Sequence, residues 1–375
     1  MLSENERGRI ISKNKEKIEL FFQFAFEVGS KRNIDDVLKV IADSARKILD
    51  CDRVSIFVYN KETSKLWTKV AHGLEEKIEV DQNIGIVGWV FSNRKPLIVN
   101  SPYSDPRFNP ETDRKTGYRT KSIIAVPLVT YSGSTVGVLE GINKNVGGFV
   151  DEDLEFGQIL AVQAANAIEN AILYEELKRA QEEIVMRLSI AAEFRDSTTY
   201  NHLVRMSLYS YLIAKEMGFD DSWCEKLKLA APMHDIGKLG IKDMILLKPA
   251  KLTDEEFEEM KKHTIYGYDI LKDSSIDILK MASNVALCHH EKYDGTGYPR
   301  GLRGDEIPIE ARIVAVADVF DALTSKRPYK EPYEIEHAVE IIEKGSGKHF
   351  DPKVVQAFKK ALPEIIKILK KYGVE

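Results

Sequence analysis

Residues 230–238 read Ala230-Ala231-Pro232-Met233-His234-Asp235-Ile236-Gly237-Lys238, and residues 286–299 read Ala286-Leu287-Cys288-His289-His290-Glu291-Lys292-Tyr293-Asp294-Gly295-Thr296-Gly297-Tyr298-Pro299. Each stretch passes from apolar residues straight into ionisable ones. Burying such groups unpaired is costly, so they must meet partners or a cation. The surrounding sequence has helical period over His202–Met217, Ser222–Met233, Asp254–His263, Ile276–His289, Ile309–Ser325, Tyr333–Lys344 and Pro352–Lys371, which predicts an all-α domain. Of eight histidines, five fall between His202 and His290. Imidazole with carboxylate, and no thiolate, suits Mn or Fe better than a structural zinc site.

Upstream, residues 151–195 contain no proline and a single glycine, Gly157. A continuous helix of that length runs about 65 Å. Leu173, Leu177, Ala180 and Ile184 follow a 4-3-4 spacing, and Leu188 and Ala191 then shift the register. The pattern predicts a dimer seam joining two domains. Residues 15–49 read as two helices. Val54–Tyr59, Leu66–Val70, Ser122–Thr130 and Thr135–Ile142 read as antiparallel strands, with a Pro/Asn/Asp-rich loop from Asn100 to Thr116. The fold class is thus multidomain: an α+β domain over 1–150, a linker helix over 151–195 and an all-α domain over 196–375.

Length and charge bound the function. The 375 residues exceed what one core holds and fit two domains. Residues 1–150 carry 23 Lys+Arg against 19 Asp+Glu, and the remainder 31 against 40. An all-α domain this acidic is not expected to bind duplex nucleic acid. Cys51, Cys224 and Cys288 are too few and too odd in number for a disulfide framework, and they predict buried thiols in a reducing compartment. The first twenty residues lack an apolar signal core, and no apolar run reaches membrane-spanning length. The expected location is the cytoplasm, without membrane insertion.

The motifs carry a resemblance. His234-Asp235-Ile236-Gly237-Lys238 resembles the signature of the HD superfamily of phosphohydrolases. His289 to Pro299, the block His263-Thr264-Ile265-Tyr266-Gly267 and the block from Asp318 to Lys330 resemble the HD-GYP family of bacterial cyclic di-GMP phosphodiesterases. The resemblance implies that Asp235 bridges two divalent metals, Fe or Mn. It places His234 and Asp318 on one metal and His263, His289 and His290 on the other. Lys238 is one helical turn from His234 and suited to hold the scissile phosphate. Arg327 and Lys330 suit phosphate contacts, and Asp321, three residues after Asp318, suits orienting a ligand or water. Gly297, Tyr298 and Pro299 would shape the site and contact a partner such as a diguanylate cyclase. His72, His337 and His349 match no ligand position and read as structural or surface residues.

The first domain resembles a GAF sensor domain. The resemblance rests on Asp52 to Ile56, Gly85 to Val90, Ser122 to Leu128, and Gly137-Val138-Leu139 followed by Asn143-Lys144. It implies a small ligand without naming one. Asn143, Lys144, Phe149, Asp151 and Glu152 resemble a cyclic-nucleotide pattern, but the gap from Phe149 to Asp151 is too short for it.

One departure bears on metal count. Family members with three metals carry a glutamate four residues before the first histidine, where this chain has Thr198 ahead of His202. Glu193 and Asp196 lie nearby, but Glu193 is nine residues before His202. A dinuclear centre is expected, with His202 a weaker ligand and no third metal. The implied activity is hydrolysis of cyclic di-GMP to linear pGpG under GAF control. The competing reading is a non-catalytic cyclic di-GMP receptor with a partly degraded site.

Overall fold

The computed structural model describes residues 4–71, 79–193, 200–325 and 331–373. Of the residues singled out above, His72, Asp196, Thr198, Arg327 and Lys330 lie outside them. The chain divides into two compact units, Met1–Lys178 and Arg179–Glu375.

In the first unit, helices α1 (Glu4–Gly29) and α2 (Ile34–Leu49) precede strands β1 (Cys51–Asn60), β2 (Lys65–Ala71) and β3 (Glu79–Asp81). Helix α3 (Gly85–Asn93), strand β4 (Leu97–Val99), helix α4 (Glu111–Thr116) and strands β5 (Ile123–Val129) and β6 (Thr135–Lys144) follow, and then helix α5 (Asp151–Glu193) begins. The strands form one antiparallel sheet in the order β3-β2-β1-β6-β5-β4. The four long strands match the sequence periodicity. The two three-residue strands and α3 carry too short a period to register there.

Alternation along the strands gives the sheet two buried faces. Val54, Ile56, Ile124, Val126 and Leu139 pack under α2 and against Leu160, Ala164 and Ile168 of α5. The start of the long helix is therefore part of this unit's core. Phe57, Ile123 and Val138 face the other way, beneath Ile86, Val87 and Val90 of α3. Asn143, at φ 55°, accepts from Lys121 N at 2.6 Å, and Lys144 Nζ lies 2.8 Å from buried Asp153. In this unit those two residues are spent on its own structure.

The second unit is helical throughout its described residues, apart from loops and isolated bridges. After the end of α5 come α6 (Tyr200–Glu216), α7 (Asp221–Ala230), α8 (Asp243–Leu246), α9 (Asp254–Lys261) and α10 (His263–Leu271). They are followed by α11 (Asp277–Cys288), α12 (Ile309–Thr324), α13 (Ile335–Lys344) and α14 (Pro352–Lys371). Their core joins Met206, Tyr209 and Ile213 of α6 to Val285, Ile313, Phe320 and Phe358.

Two predicted helices break where chemistry follows. Periodicity predicts one helix over Ser222–Met233, but the α-helix stops at Ala230 and a 3₁₀ turn spans Ala231–Met233. Pro232 lacks the N–H that would continue the ladder, so the chain tightens and swings His234 out of line. The run Asp254–His263 likewise divides at Lys262, and His263 opens α10. All three cysteines are buried and free. Among the described residues no helix is long and apolar enough to cross a membrane.

Candidate metal centre

Four imidazoles are aimed by the backbone or by a carboxylate behind them. His234 Nδ1 lies 3.2 Å from Ala231 O, His263 Nδ1 2.8 Å from Met260 O, and His289 Nδ1 3.0 Å from Val285 O. With Nδ1–H donated to a carbonyl, each ring turns its Nε2 toward the site. His202 is held by Asp321 instead, with Nδ1 2.7 Å from Oδ2.

These nitrogens converge on carboxylates in two groups. Asp235, His263, His289 and His290 each offer a ligand atom, all within 4.8 Å of one another. Glu193, His202 and His234 do the same within 4.8 Å. Asp235 stands between the groups. Its Oδ1 lies 3.3 Å from His263 Nε2 and 3.7 Å from His289 Nε2, and its Oδ2 lies 3.1 Å from His234 Nε2. Lys238 reaches the same Oδ2 with Nζ at 2.9 Å. Asp318 stands beside His202, with Oδ1 3.8 Å from Nε2, and keeps some exposure.

Close packing depends on glycine at two places. A Cβ on Gly237 would lie 1.8 Å from His263 O, so only glycine lets the His234–Lys238 turn pass under α10. A Cβ on Gly297 would lie 2.3 Å from Lys292 N. The Tyr298–Pro299 bond is cis, and the Tyr298 ring sits 4.8 Å from His290. Buried Glu291 ties the loop by accepting from Arg300 N at 2.7 Å and Leu302 N at 3.0 Å.

Protonation differs across the site. Burial, with the charge of His289 beside it, pushes His290 well below the usual imidazole value, and burial holds His263 down to about 4. Burial also opposes charge on His234, but Asp235 overrides it and lifts the ring to about 9. Burial raises Glu193, whereas Lys238 and His234 overcome burial and hold Asp235 well below the carboxylate range.

The residues fit divalent cations. Asp235 Oδ1 and both Glu193 oxygens are buried without a hydrogen-bond partner. Buried polar atoms are normally satisfied, but here Asp235 Oδ1 lies 3.3 Å from His263 Nε2 and a Glu193 oxygen lies within 4.8 Å of ligand atoms of His202 and His234.

Two residues stand differently from the simplest sequence reading. Asp321 acts from behind the donors, on the ligand His202. It is fully buried, and Arg205 grips it with Nε on Oδ1 at 2.6 Å and Nη2 on Oδ2 at 2.8 Å. Its Oδ2 also accepts from Ser325 Oγ at 3.2 Å and lies 2.7 Å from His202 Nδ1, which it orients. Glu193, set aside on its spacing from His202, is brought into the site. Arg205 went unnoticed, although it lies three residues after His202 on α6, on the same helical face. His337 pairs with Glu340 on the surface, and His349 stacks on Phe350.

This architecture defines the class. Residues 33–168 match the GAF domain family and residues 187–354 match the HD domain family. The chain is a GAF domain followed by an HD domain, and its His289–Pro299 block is consistent with the HD-GYP branch.

Among curated proteins, a cyclic di-GMP phosphodiesterase of Thermotoga maritima is 49% identical over 189 residues, covering 50% of this chain and 51% of that protein. The cyclic di-GMP phosphodiesterase response regulator RpfG of Xanthomonas campestris pv. campestris is 44% identical over 197 residues, covering 52% of each. The 3'3'-cGAMP-specific phosphodiesterase 2 of Vibrio cholerae is 42% identical over 200 residues, covering 53% of this chain and 38% of that protein. The chain thus spans about half the length, or less, of these relatives.

Proposed function

We propose that the HD domain hydrolyses cyclic di-GMP to linear pGpG and that the GAF domain regulates it. The observation that carries this reading is the Asp235 carboxylate, with one oxygen toward His263 and His289 and the other toward His234 and Lys238. A carboxylate shared in this way suits bridging two cations.

Two cations fit the donors. Asp235, His263, His289 and His290 would hold one, and Glu193, His202 and His234 the other, with Asp318 alongside. When bound, such cations acidify water and neutralise charge on phosphoryl oxygens. The chain's own residues supply the rest. Lys238 Nζ is placed to hold a non-bridging phosphate oxygen as a point charge. Asp321 and Arg205 hold His202 in one ring orientation. Tyr298 bounds the substrate side next to His290. Arg327 and Lys330 are assigned phosphate contacts from the sequence. Water adds to phosphorus, the bond to the 3′ oxygen breaks, and that oxygen takes the proton.

Leu173, Leu177, Ile184 and Leu188 are exposed on α5, which supports pairing with a second copy of this chain. The Gly297–Pro299 loop is the surface assigned to a diguanylate cyclase. The 42% identity to a 3'3'-cGAMP-specific enzyme favours that dinucleotide as a second substrate to compare.

The test is an anoxic assay with Mn²⁺ or Fe²⁺, cyclic di-GMP and 3′3′-cGAMP side by side, and Asp235→Ala as control. Metal-dependent release of pGpG that the control lacks supports the proposal. Tight binding of cyclic di-GMP without turnover under any metal assigns the chain to the receptor reading.

A further inference from the structure

The sheet face covered by α3 carries a partly open cavity of about 140 Å³, bounded by Phe57, Val80, Ile86, Phe108, Asp113 and Glu140 among others. Nothing in the phosphodiesterase reading uses it. Its walls are mostly apolar, and an acid faces it because of strand alternation. Val138 of β6 points to this buried face, and Glu140, two residues on, points the same way. Its cross-strand neighbours are Ser55 on β1 and Ala125 on β5.

The two carboxylates in the cavity are treated differently. Asp113 is satisfied within the chain, accepting from Tyr103 Oη, Thr120 N and Thr120 Oγ1, each at 2.8 Å. Glu140 has no hydrogen bond or ion pair among the described residues. No Lys, Arg or His is among the described residues lining the cavity. Burial, and after it the charge of Asp113, lift the Glu140 carboxyl to about 7.

Size and charge together select a ligand. A cavity of about 150 Å³ holds benzene. A cyclic nucleotide has several times as many heavy atoms, and its phosphate would face two carboxylates with no cation among the described lining residues to meet it. An ammonium placed at Glu140 gives this half-buried carboxylate the partner it lacks, through a charge-assisted hydrogen bond. An apolar body on that ammonium fills the space beside Phe57, Phe108 and Ile86, where the rings also favour a cation.

We propose that the GAF cavity binds a small organic cation, an alkyl- or arylalkylammonium whose charged end meets Glu140 and whose body lies among Phe57, Ile86 and Phe108. The site is independent of the catalytic reading.

The test is calorimetric titration of the full chain with n-butylammonium and benzylammonium chloride. 1-Butanol and benzyl alcohol serve as neutral counterparts, butyrate and benzoate as anionic ones, and cyclic GMP as the nucleotide. Saturable binding of an ammonium probe is expected, at least tenfold tighter than its alcohol or carboxylate. Glu140→Gln should weaken that binding at least tenfold while leaving any alcohol binding unchanged. Val80→Phe, which fills the cavity and keeps Glu140, should abolish it. Circular dichroism establishes which variants fold, and if Glu140→Gln does not, Val80→Phe decides. The proposal is overturned if neither ammonium binds saturably, if the carboxylates or cyclic GMP bind as tightly, or if the folded variants bind the ammonium like the parent chain.

Discussion

Buried acids are of two kinds, and the two units divide them unequally. In the first, Asp153 is closed by the chain itself, with Lys144 at 2.8 Å, Lys17 at 3.4 Å and Val150 N at 3.2 Å. Asp113 is closed by Tyr103 and Thr120. In the second, Glu193 and Asp235 keep buried oxygens that no hydrogen bond reaches, with imidazoles gathered around them. A buried charge has to be compensated by something. Where the chain supplies the compensation, the acid is structural, as Asp321 is under Arg205. Where compensation must come from outside, the acid marks a site. In the first unit Glu140, half-buried and with no hydrogen bond or ion pair among the described residues, comes nearest to the second kind.

Four substitutions probe this contrast. The largest effect falls on Asp235. Asp235→Ala removes the carboxylate shared by both donor groups, and turnover should fall by at least about 10³-fold with loss of bound metal. Elemental analysis and rate assays check both. Retained metal would break the contrast.

Next is Arg205→Met, which strips the partner from a fully buried Asp321. Breaking a buried pair from one side costs about 3–5 kcal/mol, read as a shift in urea denaturation of the second unit. Adding Asp321→Asn should recover part of that loss, because the orphaned charge disappears.

Glu193→Gln keeps the shape and removes the charge. About one cation per chain should be lost, and second-group affinity should fall about 10- to 100-fold, the scale on which metal-site neighbours act. Two tightly held metals in the variant would return Glu193 to the class of structural acids.

The smallest effect is that of Glu140→Gln on stability without ligand. The folded carboxyl titrates at about 7, with Asp113 of α4 the charged neighbour that adds to the effect of burial. Unfolded glutamate titrates near about 4.3. Folding therefore favours the protonated form, and this contribution is full below the unfolded value and lost as pH rises through 7. A fully buried group with this shift would contribute about 3 kcal/mol; Glu140 is half-buried, solvent screens part of it, and the parent chain should lose roughly 1–2 kcal/mol between pH 4.5 and pH 8 that Glu140→Gln does not lose. Thermal denaturation at the two pH values measures the difference.

Much of the site was legible because its ligands sit in short motifs. His234-Asp235, His263 and His289-His290 each follow an apolar run that announces burial, and the structure brings all five together with Lys238. Glu193 was not legible by counting. It ends α5, whereas His202 lies on α6, so spacing along one helix does not measure the distance between them. Asp321 was legible only in part, for a related reason. Its i+3 spacing from Asp318 predicts a shared face, but Arg205 lies buried against it and takes its oxygens. The α-helix end at Ala230 could have been read from Pro232, and the short strands β3 and β4 could not, because three residues carry no measurable period.

The sequence by itself determined the class of each half, the order of the helices and long strands, and the identity of the histidine and aspartate donors. These follow from local period and from residue chemistry, which act over a few neighbours. Only the tertiary structure decided which carboxylates face a site and which are neutralised by the chain. That depends on groups more than a hundred residues apart, such as Arg205 and Asp321, meeting where solvent is excluded.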